Sequence, residues 1–218
     1  MDNKKHIMLA GPSGVGKTTI CKDLVANKDF IDDMKFISGS MSDLMPITKE
    51  MTHIDMLSRD NRELYREDYQ LLTLRAKQYR SFRDYNYITD RSPLDSAVYF
   101  LYKQVKYLPM CEIDNFIRLC RRNIFEHCTH LVLVDYTKYM INGWTIENND
   151  KRIVNPYFQY MISGIFKSIL DMWSDSWNYE GEYITTTISS DSDIVKVMIL
   201  DDMSRDKRNK AIQEFINN

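Results

Sequence analysis

The chain has no long apolar run, and this limits where it can work. None of its hydrophobic segments approaches the roughly 18–20 residues that a membrane-spanning helix needs. Residues Met1 to Lys5 lead directly into the first apolar segment and leave no room for a secretory signal peptide. We therefore expect a cytoplasmic protein that has no membrane partner.

Cysteine is scarce and its spacing is uninformative for metal binding. Only 4 of the 218 residues are cysteine, and no two of them form a C-x-x-C pair. This pattern is typical of small buried residues in a reducing compartment. The alternative is a metal site built from Cys120, His127, Cys128 and His130, but their spacing is not that of the usual zinc motifs.

Glycine and proline are also few, at 7 and 5 residues, and nowhere do they cluster into a linker. No internal repeat or low-complexity tract interrupts the chain. A chain of 218 residues is long enough for one α/β domain with a sizeable core. We therefore expect residues 1–218 to form a single domain.

The chain has little net charge, at −2 from 29 basic and 31 acidic residues. This balance does not favour a protein whose main partner is duplex DNA. Arginine is nevertheless dense in the middle of the chain, where it forms either a basic face or a solvated helix face paired with Glu63, Glu67 and Asp68. The arginines of this region are Arg59, Arg62, Arg66, Arg75, Arg80, Arg83 and Arg91.

A phosphate-binding loop stands out near the start of the chain. Residues 11–18 fit the pattern G-x-x-x-x-G-K-[ST] without a mismatch, between an apolar strand and an amphipathic helix. In such a loop Lys17 reaches the β- and γ-phosphates of ATP, and the Thr18 hydroxyl can ligate Mg²⁺. The predicted ATP-binding residues of the loop are Gly11, Ser13, Gly14, Val15, Gly16, Lys17, Thr18 and Thr19.

Apolar strands alternate with helices along the whole chain, which predicts a parallel sheet with right-handed crossovers and ligands at the carboxyl ends of the strands. The predicted strands are 6–10, 34–38, 85–89, 130–134 and 183–187. The predicted helices are 17–27, 60–82, one from Pro93, 112–126, 156–174 and a last one from about residue 190, while 39–58 is irregular.

A second polar motif, Asp90-Arg91-Ser92-Pro93, directly follows the third predicted strand. Because the carboxyl ends of parallel strands share one edge, Asp90 and Arg91 are expected to face the nucleotide phosphates. Asp90 is the candidate Mg²⁺ ligand or general base, and Arg91 the candidate for neutralising charge on the transferred group. The alternative interpretation is a helix-capping cluster with Ser92 or Asp90 near the N-cap.

A lid over the phosphates is expected at about 140–156, after the fourth strand. Arg152 is its predicted catalytic cation and Lys151 its predicted nucleotide-binding cation, although both also fit an ordinary charged loop. A lid formed by Arg118, Arg121 and Arg122 is the alternative.

Three further predictions concern single segments of the chain. Asp135, at the end of the fourth strand, fits a Mg²⁺ ligand by type, although a turn or cap role is favoured. Residues 188–192 are placed near the adenine base. The candidate acceptor-binding residues are Met41, Met45, Arg62, Tyr65 and Tyr69, which also fit a core stripe.

Together the phosphate loop, the long helix and the Asp-Arg-Ser-Pro motif resemble the P-loop nucleoside and nucleotide kinases. Deoxynucleoside kinases have Asp/Glu-Arg-Ser after the third strand, and thymidylate kinases have Asp-Arg-Tyr. The small kinases grouped with nicotinamide riboside kinases, often found in phages, are also similar. The resemblance implies a three-layer α/β P-loop kinase fold with a lid, and a five-stranded parallel sheet in the order 2-3-1-4-5 with helices on both faces. It also implies ATP as donor, with Asp90 and Arg91 at the reaction centre.

One departure from the family affects the expected acceptor. Deoxynucleoside kinases usually carry a glutamate just after the second strand, whereas in this chain the stretch that follows that strand, residues 38–42, contains no carboxylate and Asp43 is the first. Either Asp43 or Asp90 is then the base, or the acceptor is a monophosphate, which needs none. We expect an ATP- and Mg²⁺-dependent kinase for a nucleoside or nucleotide, such as a deoxynucleoside or its monophosphate. A homodimer is compatible with this. The alternatives are a phage-type kinase for 5-hydroxymethylpyrimidine in DNA, and an ATPase or switch without an acceptor.

Overall fold

The structure is a computed structural model and describes residues 4–27, 30–45, 59–135, 155–180, 183–200 and 205–218. Strands and helices alternate through most of these ranges. The strands are β1 His6–Ala10, β2 Lys35–Ile37, β3 Tyr87–Thr89, β4 His130–Val134, β5 Asn178–Glu180, β6 Tyr183–Ser189 and β7 Ile194–Leu200. The helices are α1 Lys17–Ala26, α2 Met41–Leu44, α3 Asn61–Ser81, α4 Pro93–Gln104, α5 Met110–His127, α6 Pro156–Trp173 and α7 Arg205–Asn217.

One sheet contains all of these strands in the order β2-β3-β1-β4-β7-β6-β5. The first five strands in this order are parallel, and Met8 of β1 lies opposite both Thr89 of β3 and Leu131 of β4. The central strands β1 and β4 are almost wholly apolar because helices cover both of their faces. The carboxyl ends of five strands therefore meet at one edge.

The prediction of a five-stranded, all-parallel sheet is wrong at its outer side. The predicted fifth strand, 183–187, lies within β6, which pairs antiparallel with β7 and β5. The strand that pairs with β4 is instead β7, Ile194–Leu200, in a region that was expected to be helical. Its run of valine, isoleucine and methionine is buried at five of seven positions, because it packs between two strands and two helical layers.

Helices cover both faces of the sheet, as the resemblance implies. Helices α3, α4, α5 and α6 pack on one face around large buried side chains such as Phe116 and Phe166. Helices α1 and α7 pack on the other face, with Ile20 and Phe215 in a second apolar cluster. The sheet therefore lies between two helical layers, with the parallel strand ends at its edge. None of the described helices combines the length and apolar character needed to cross a membrane.

Candidate active site

The phosphate-binding loop connects the buried strand β1 to helix α1 at the parallel edge. Gly11, Gly14 and Gly16 have φ angles of 140°, 88° and 82°. At Gly11 a Cβ atom would lie 2.4 Å from the Val134 carbonyl oxygen, so a side chain there would collide with the end of β4. No side chain caps the amino terminus of α1. Its first backbone N–H groups are thus directed at the space enclosed by the loop, which suits an anion.

Lys17 lies within this loop and is only 5% exposed. Its Nζ atom donates to the carbonyl oxygens of Gly11 at 2.6 Å and Pro12 at 2.8 Å. Burial, reinforced by the nearby Arg91 guanidinium, lowers the pKa of Lys17 from 10.5 to about 7. A phosphate group in the loop would offer this ammonium a stronger partner than two neutral carbonyls.

Asp90 joins the ends of three elements. One carboxylate oxygen accepts from the Thr18 hydroxyl at 2.5 Å, and the other accepts from the Gly39 backbone N–H at 2.9 Å. Asp90 is 5% exposed, whereas Thr18 is exposed. Hydroxyl and carboxylate oxygens are the ligands that Mg²⁺ prefers, and Mg²⁺ commonly takes one or two of them beside substrate phosphates. The pair Thr18 and Asp90 therefore fits a Mg²⁺ ion by donor type.

Arg91 is oriented by the start of helix α4. Its Nη1 atom donates to one oxygen of Asp95 at 3.1 Å. The other oxygen of Asp95 accepts from the backbone N–H of Ser92 at 2.9 Å and from its hydroxyl at 2.8 Å. Ser92 is thus the N-cap of α4, in a full capping box. The capping interpretation is correct for Ser92 and not for Asp90, and the same Asp95 holds both the cap and Arg91.

Gly39 and Arg75 complete this arrangement, and the sequence analysis missed both roles. Arg75 is 4% exposed and donates to the Gly39 carbonyl oxygen from Nε at 3.2 Å and from Nη2 at 2.9 Å. At Gly39 a Cβ atom would lie 2.6 Å from the Cβ of Arg91. The place of Arg75 on the apolar stripe of α3, between Leu72 and Tyr79, was a signal that it is buried.

Asp43 lies beside the end of β2, as one interpretation of the missing glutamate requires. It belongs to the short helix α2, is exposed, and accepts from the Ser38 hydroxyl at 2.5 Å. The structure therefore presents two carboxylates near the end of β2, from Asp43 and Asp90. Which of them serves as a base stays a prediction.

The remaining loop residues differ in what they can offer a nucleotide. Val15 buries its side chain in the apolar cluster beneath α1, so only its backbone lines the loop. Ser13 is half-buried and Thr19 is exposed. The predicted lid cations Lys151 and Arg152 lie outside the described residues, as does most of the range 140–156.

Two predicted site segments lie at the wrong edge of the sheet. Arg118, Arg121 and Arg122 line a cavity together with Ser190 and Asp193, which directly precede β7. The amino end of a parallel strand is opposite the phosphate loop. The alternative arginine lid and the adenine site at 188–192 are therefore both wrong, because the chain turns at residues 190–193 instead of leaving a parallel strand there.

Asp135 contacts side chains of helix α6 through its carboxylate. It is 2% exposed, accepts from the Ser163 hydroxyl and forms an ion pair with Lys167 of α6. These contacts give Asp135 a structural role as a link to α6, whereas the sequence analysis favoured a turn or cap. In the part of the chain that the structure describes, no three His, Cys, Asp or Glu side chains form a metal-binding group, so the Cys/His site is not formed.

The candidate acceptor residues on α3 are mainly packed in the core. Tyr65 contacts Tyr69 at 4.9 Å between ring centroids, and Tyr69 packs edge-on against Phe116 at 4.8 Å. Met45 is 6% exposed, and Arg62 is exposed. The core interpretation of the tyrosine stripe is therefore the one that the contacts support.

Comparison with solved structures agrees with the resemblance drawn from the two motifs. A deoxyadenosine kinase from M. mycoides with bound dCTP matches with a TM-score of 0.59 and 12% identity, over 97% of this chain and 98% of that one. A thymidylate kinase from Candida albicans matches with a TM-score of 0.66 and 13% identity, over 98% of this chain and 91% of that one. No protein-family model and no curated protein matches the sequence. The chain thus has the fold of the P-loop nucleoside and nucleotide kinases.

Proposed function

We propose that this protein is a phosphotransferase that moves the γ-phosphoryl group of ATP to a nucleoside or nucleotide. The observation that carries the proposal is the position of Asp90. Its carboxylate bridges Thr18 of the phosphate loop and Gly39, the second residue after β2. It therefore stands between the donor loop and the segment that follows β2, where an acceptor has access to the γ-phosphate.

The donor side is formed by the loop and the start of α1. Backbone N–H groups between Gly11 and Lys17 surround the phosphates, and the helix terminus adds its partial positive charge. The Lys17 ammonium moves from the loop carbonyls to the β- and γ-phosphates. Mg²⁺, held by Thr18 and Asp90, would supply neutralisation of phosphate charge.

The transfer itself is an in-line displacement. The acceptor oxygen forms a bond to the γ-phosphorus while the bond from that phosphorus to the β–γ bridging oxygen breaks. For a hydroxyl acceptor, the proton passes to the carboxylate of Asp90 or Asp43. Arg91, held by Asp95 at 3.1 Å, neutralises negative charge on the transferred group or on an acceptor phosphate. Lys151 and Arg152, which lie outside the described residues, remain the proposed lid cations.

The acceptor class we favour is a deoxynucleoside or its monophosphate. This preference rests on the Asp-Arg-Ser-Pro motif and on the solved structures of similar fold. An acceptor in DNA is less well supported, because the arginines of the middle of the chain do not form one face. Arg59 pairs with Glu63 and Glu67, and Arg75 is buried.

The proposal is tested by following labelled γ-phosphate from ATP into separate acceptors. The panel contains deoxynucleosides, nucleoside monophosphates, nicotinamide riboside, and plain and hydroxymethylated DNA. We expect label on a small nucleoside or nucleotide, and its loss in the Lys17→Ala variant. Label on hydroxymethylated DNA alone would identify the acceptor as DNA. Label released only as free phosphate, whatever acceptor is present, would exclude a kinase and leave an ATPase or switch.

A further inference from the structure

A cavity of about 740 Å³ opens at the edge of the sheet opposite the phosphate loop. Its walls are the end of α3 with the turn after it, the second half of α5, and the turn between β6 and β7. Each of these leads into the amino end of a parallel strand, namely β3, β4 or β7. The lining residues are Arg80, Arg83, Arg118, Arg121, Arg122, Phe125, Glu126, His127, Ser190 and Asp193.

The lining is strongly basic although the chain as a whole is slightly acidic. Five arginines face two carboxylates there, whereas the whole chain has a net charge of −2. Burial lowers the pKa of His127, which disfavours its charged form. The cavity thus brings five guanidinium groups together around one concave space.

Two of the arginines take no part in the ion pairs of the lining, although Arg121 also interacts electrostatically with Asp175. Within the described ranges, neither Arg83 nor Arg121 forms an ion pair, whereas Arg80 and Arg122 share Glu126 at 3.5 and 2.7 Å. Arg121 donates to the Ser189 carbonyl oxygen at 3.3 Å and lies over the Phe125 ring at 5.5 Å. Its Nε atom is buried and has no hydrogen-bond partner among the described residues. Arg121 is therefore held in place with a donor still unsatisfied.

We propose that this cavity is a second anion site that binds a compact polyphosphate, a chain of three linked phosphoryl groups. Guanidinium groups bind phosphate through paired hydrogen bonds, and several converge here around one concave space. The volume lies in the range of small-molecule pockets, about 300–1,000 Å³. A small ligand fits better than a nucleic-acid strand, because Glu126 and Asp193 interrupt the basic surface and would repel a long phosphodiester backbone.

The site is separate from the proposed kinase centre. β4 has five residues and spans about 13 Å between the two edges of the sheet. A ligand in the cavity lies on the far side of that strand from Lys17 and cannot accept phosphate from the loop. The inference therefore does not depend on the proposed function.

The test is calorimetric titration of inorganic tripolyphosphate into the full chain without nucleotide. The key variant combines Arg83→Gln, Arg118→Gln and Arg122→Gln, whose side chains are exposed, so the fold should be retained; an unchanged Tm checks this. The matched control is Lys210→Gln. Lys210 and Arg118 are both 77% exposed, and both pair with a carboxylate four residues away. The Lys17→Ala variant weakens binding at the phosphate loop and so distinguishes it from binding in the cavity.

We expect two binding events in the wild-type protein. The triple variant should weaken one of them by about tenfold or more, whereas Lys17→Ala should weaken the other and Lys210→Gln neither. The proposal is overturned if the triple variant binds like the wild type, or if Lys17→Ala abolishes all binding. Titration of the Lys17→Ala variant with dATP then tests whether the ligand of the cavity is a nucleotide or a free phosphate chain. If dATP binds more tightly than tripolyphosphate, the ligand is a nucleotide. If the two bind equally, it is a free phosphate chain. Stronger binding of a single-stranded oligonucleotide, lost in the triple variant, would overturn the small-ligand assignment.

Discussion

A buried lysine couples the candidate site to pH. Because burial lowers the pKa of Lys17 to about 7, its side chain is largely neutral at pH 8 and largely charged at pH 6. Triphosphate binding requires the charged form, so it takes up a proton above pH 7. We expect the affinity for ATP to be nearly constant below pH 7 and to fall up to about tenfold per pH unit above it.

The affinity is measured by calorimetry between pH 6 and 9 in two buffers of different ionisation enthalpy, which also reports the proton uptake. The Lys17→Met variant should bind ATP more weakly than the wild type. Its affinity should not change with pH over the same range. An affinity that is flat from pH 7 to 9 in the wild-type protein would show that Lys17 is already charged before ATP binds.

Asp90 provides a second prediction at the residue scale. Asp90→Asn keeps an oxygen that can accept from Thr18 or Gly39 but removes the negative charge. We expect kcat to fall about 100-fold or more, because a charged group at the reaction centre is lost. The free energy of unfolding should change by less than about 1 kcal/mol. Glu214→Gln, an exposed acid on α7, is the control. Near-normal turnover in Asp90→Asn would remove Asp90 from the catalytic residues.

At the scale of elements, helix α4 connects stability to the site. Its capping box ties Ser92 to Asp95, and Asp95 also holds Arg91. Ser92→Ala removes the hydroxyl that accepts from the Asp95 backbone N–H and donates to its carboxylate. We expect a loss of about 0.5–2 kcal/mol in the free energy of unfolding.

Denaturant unfolding measures this loss, with Ser81→Ala as control. Ser81 is exposed at the end of α3 and donates only to the nearby Gln78 carbonyl oxygen, so its removal should cost less than about 0.5 kcal/mol. Equal stability of the two variants would mean that the cap contributes nothing beyond an ordinary surface hydroxyl.

The outer strands show why a strand can be predicted from the sequence and still be assigned to the wrong position in the sheet. Periodicity correctly indicated an extended segment at 183–187, but a strand carries no local mark of its direction or its neighbours. The turn at 190–193, closed by a hydrogen bond of 2.9 Å from Ser190 N to the Asp193 carbonyl oxygen, sends the chain back as β7. Only the packing of Ile194–Leu200 beside β4 decides which segment completes the parallel sheet.

At the scale of the whole molecule, the layers control which cysteines can react. Cys21, Cys120 and Cys128 are buried, and burial raises the pKa of each thiol, whereas Cys111 is exposed. A reagent that reacts with cysteine thiolates should therefore modify one cysteine in the native protein and four after unfolding. Intact-mass spectrometry over time counts the modified groups, and Cys111→Ser is the control that should leave the native protein unmodified. Rapid native modification of Cys120 would contradict the packing of α5.

By itself the sequence determined the parts of this protein that depend on local pattern. The spacing from Gly11 to Thr18 predicted a phosphate loop, because glycine readily takes the positive φ angles that such a loop needs, and Gly11, Gly14 and Gly16 have them. The apolar runs of β1 and β4 predicted a buried parallel sheet, and Pro93 marked the first residue of α4. Each of these follows from the chemistry of neighbouring residues.

Tertiary structure alone decided the features that join residues distant in the sequence. The contact of Asp90 with Gly39 spans 51 positions, and that of Arg75 with Gly39 spans 36. The arginines of α3 and α5 meet in one cavity only because both helices end at the same edge of the sheet. Local patterns do not encode such contacts, since strand order and helix packing depend on burying the apolar surface of the whole chain at once.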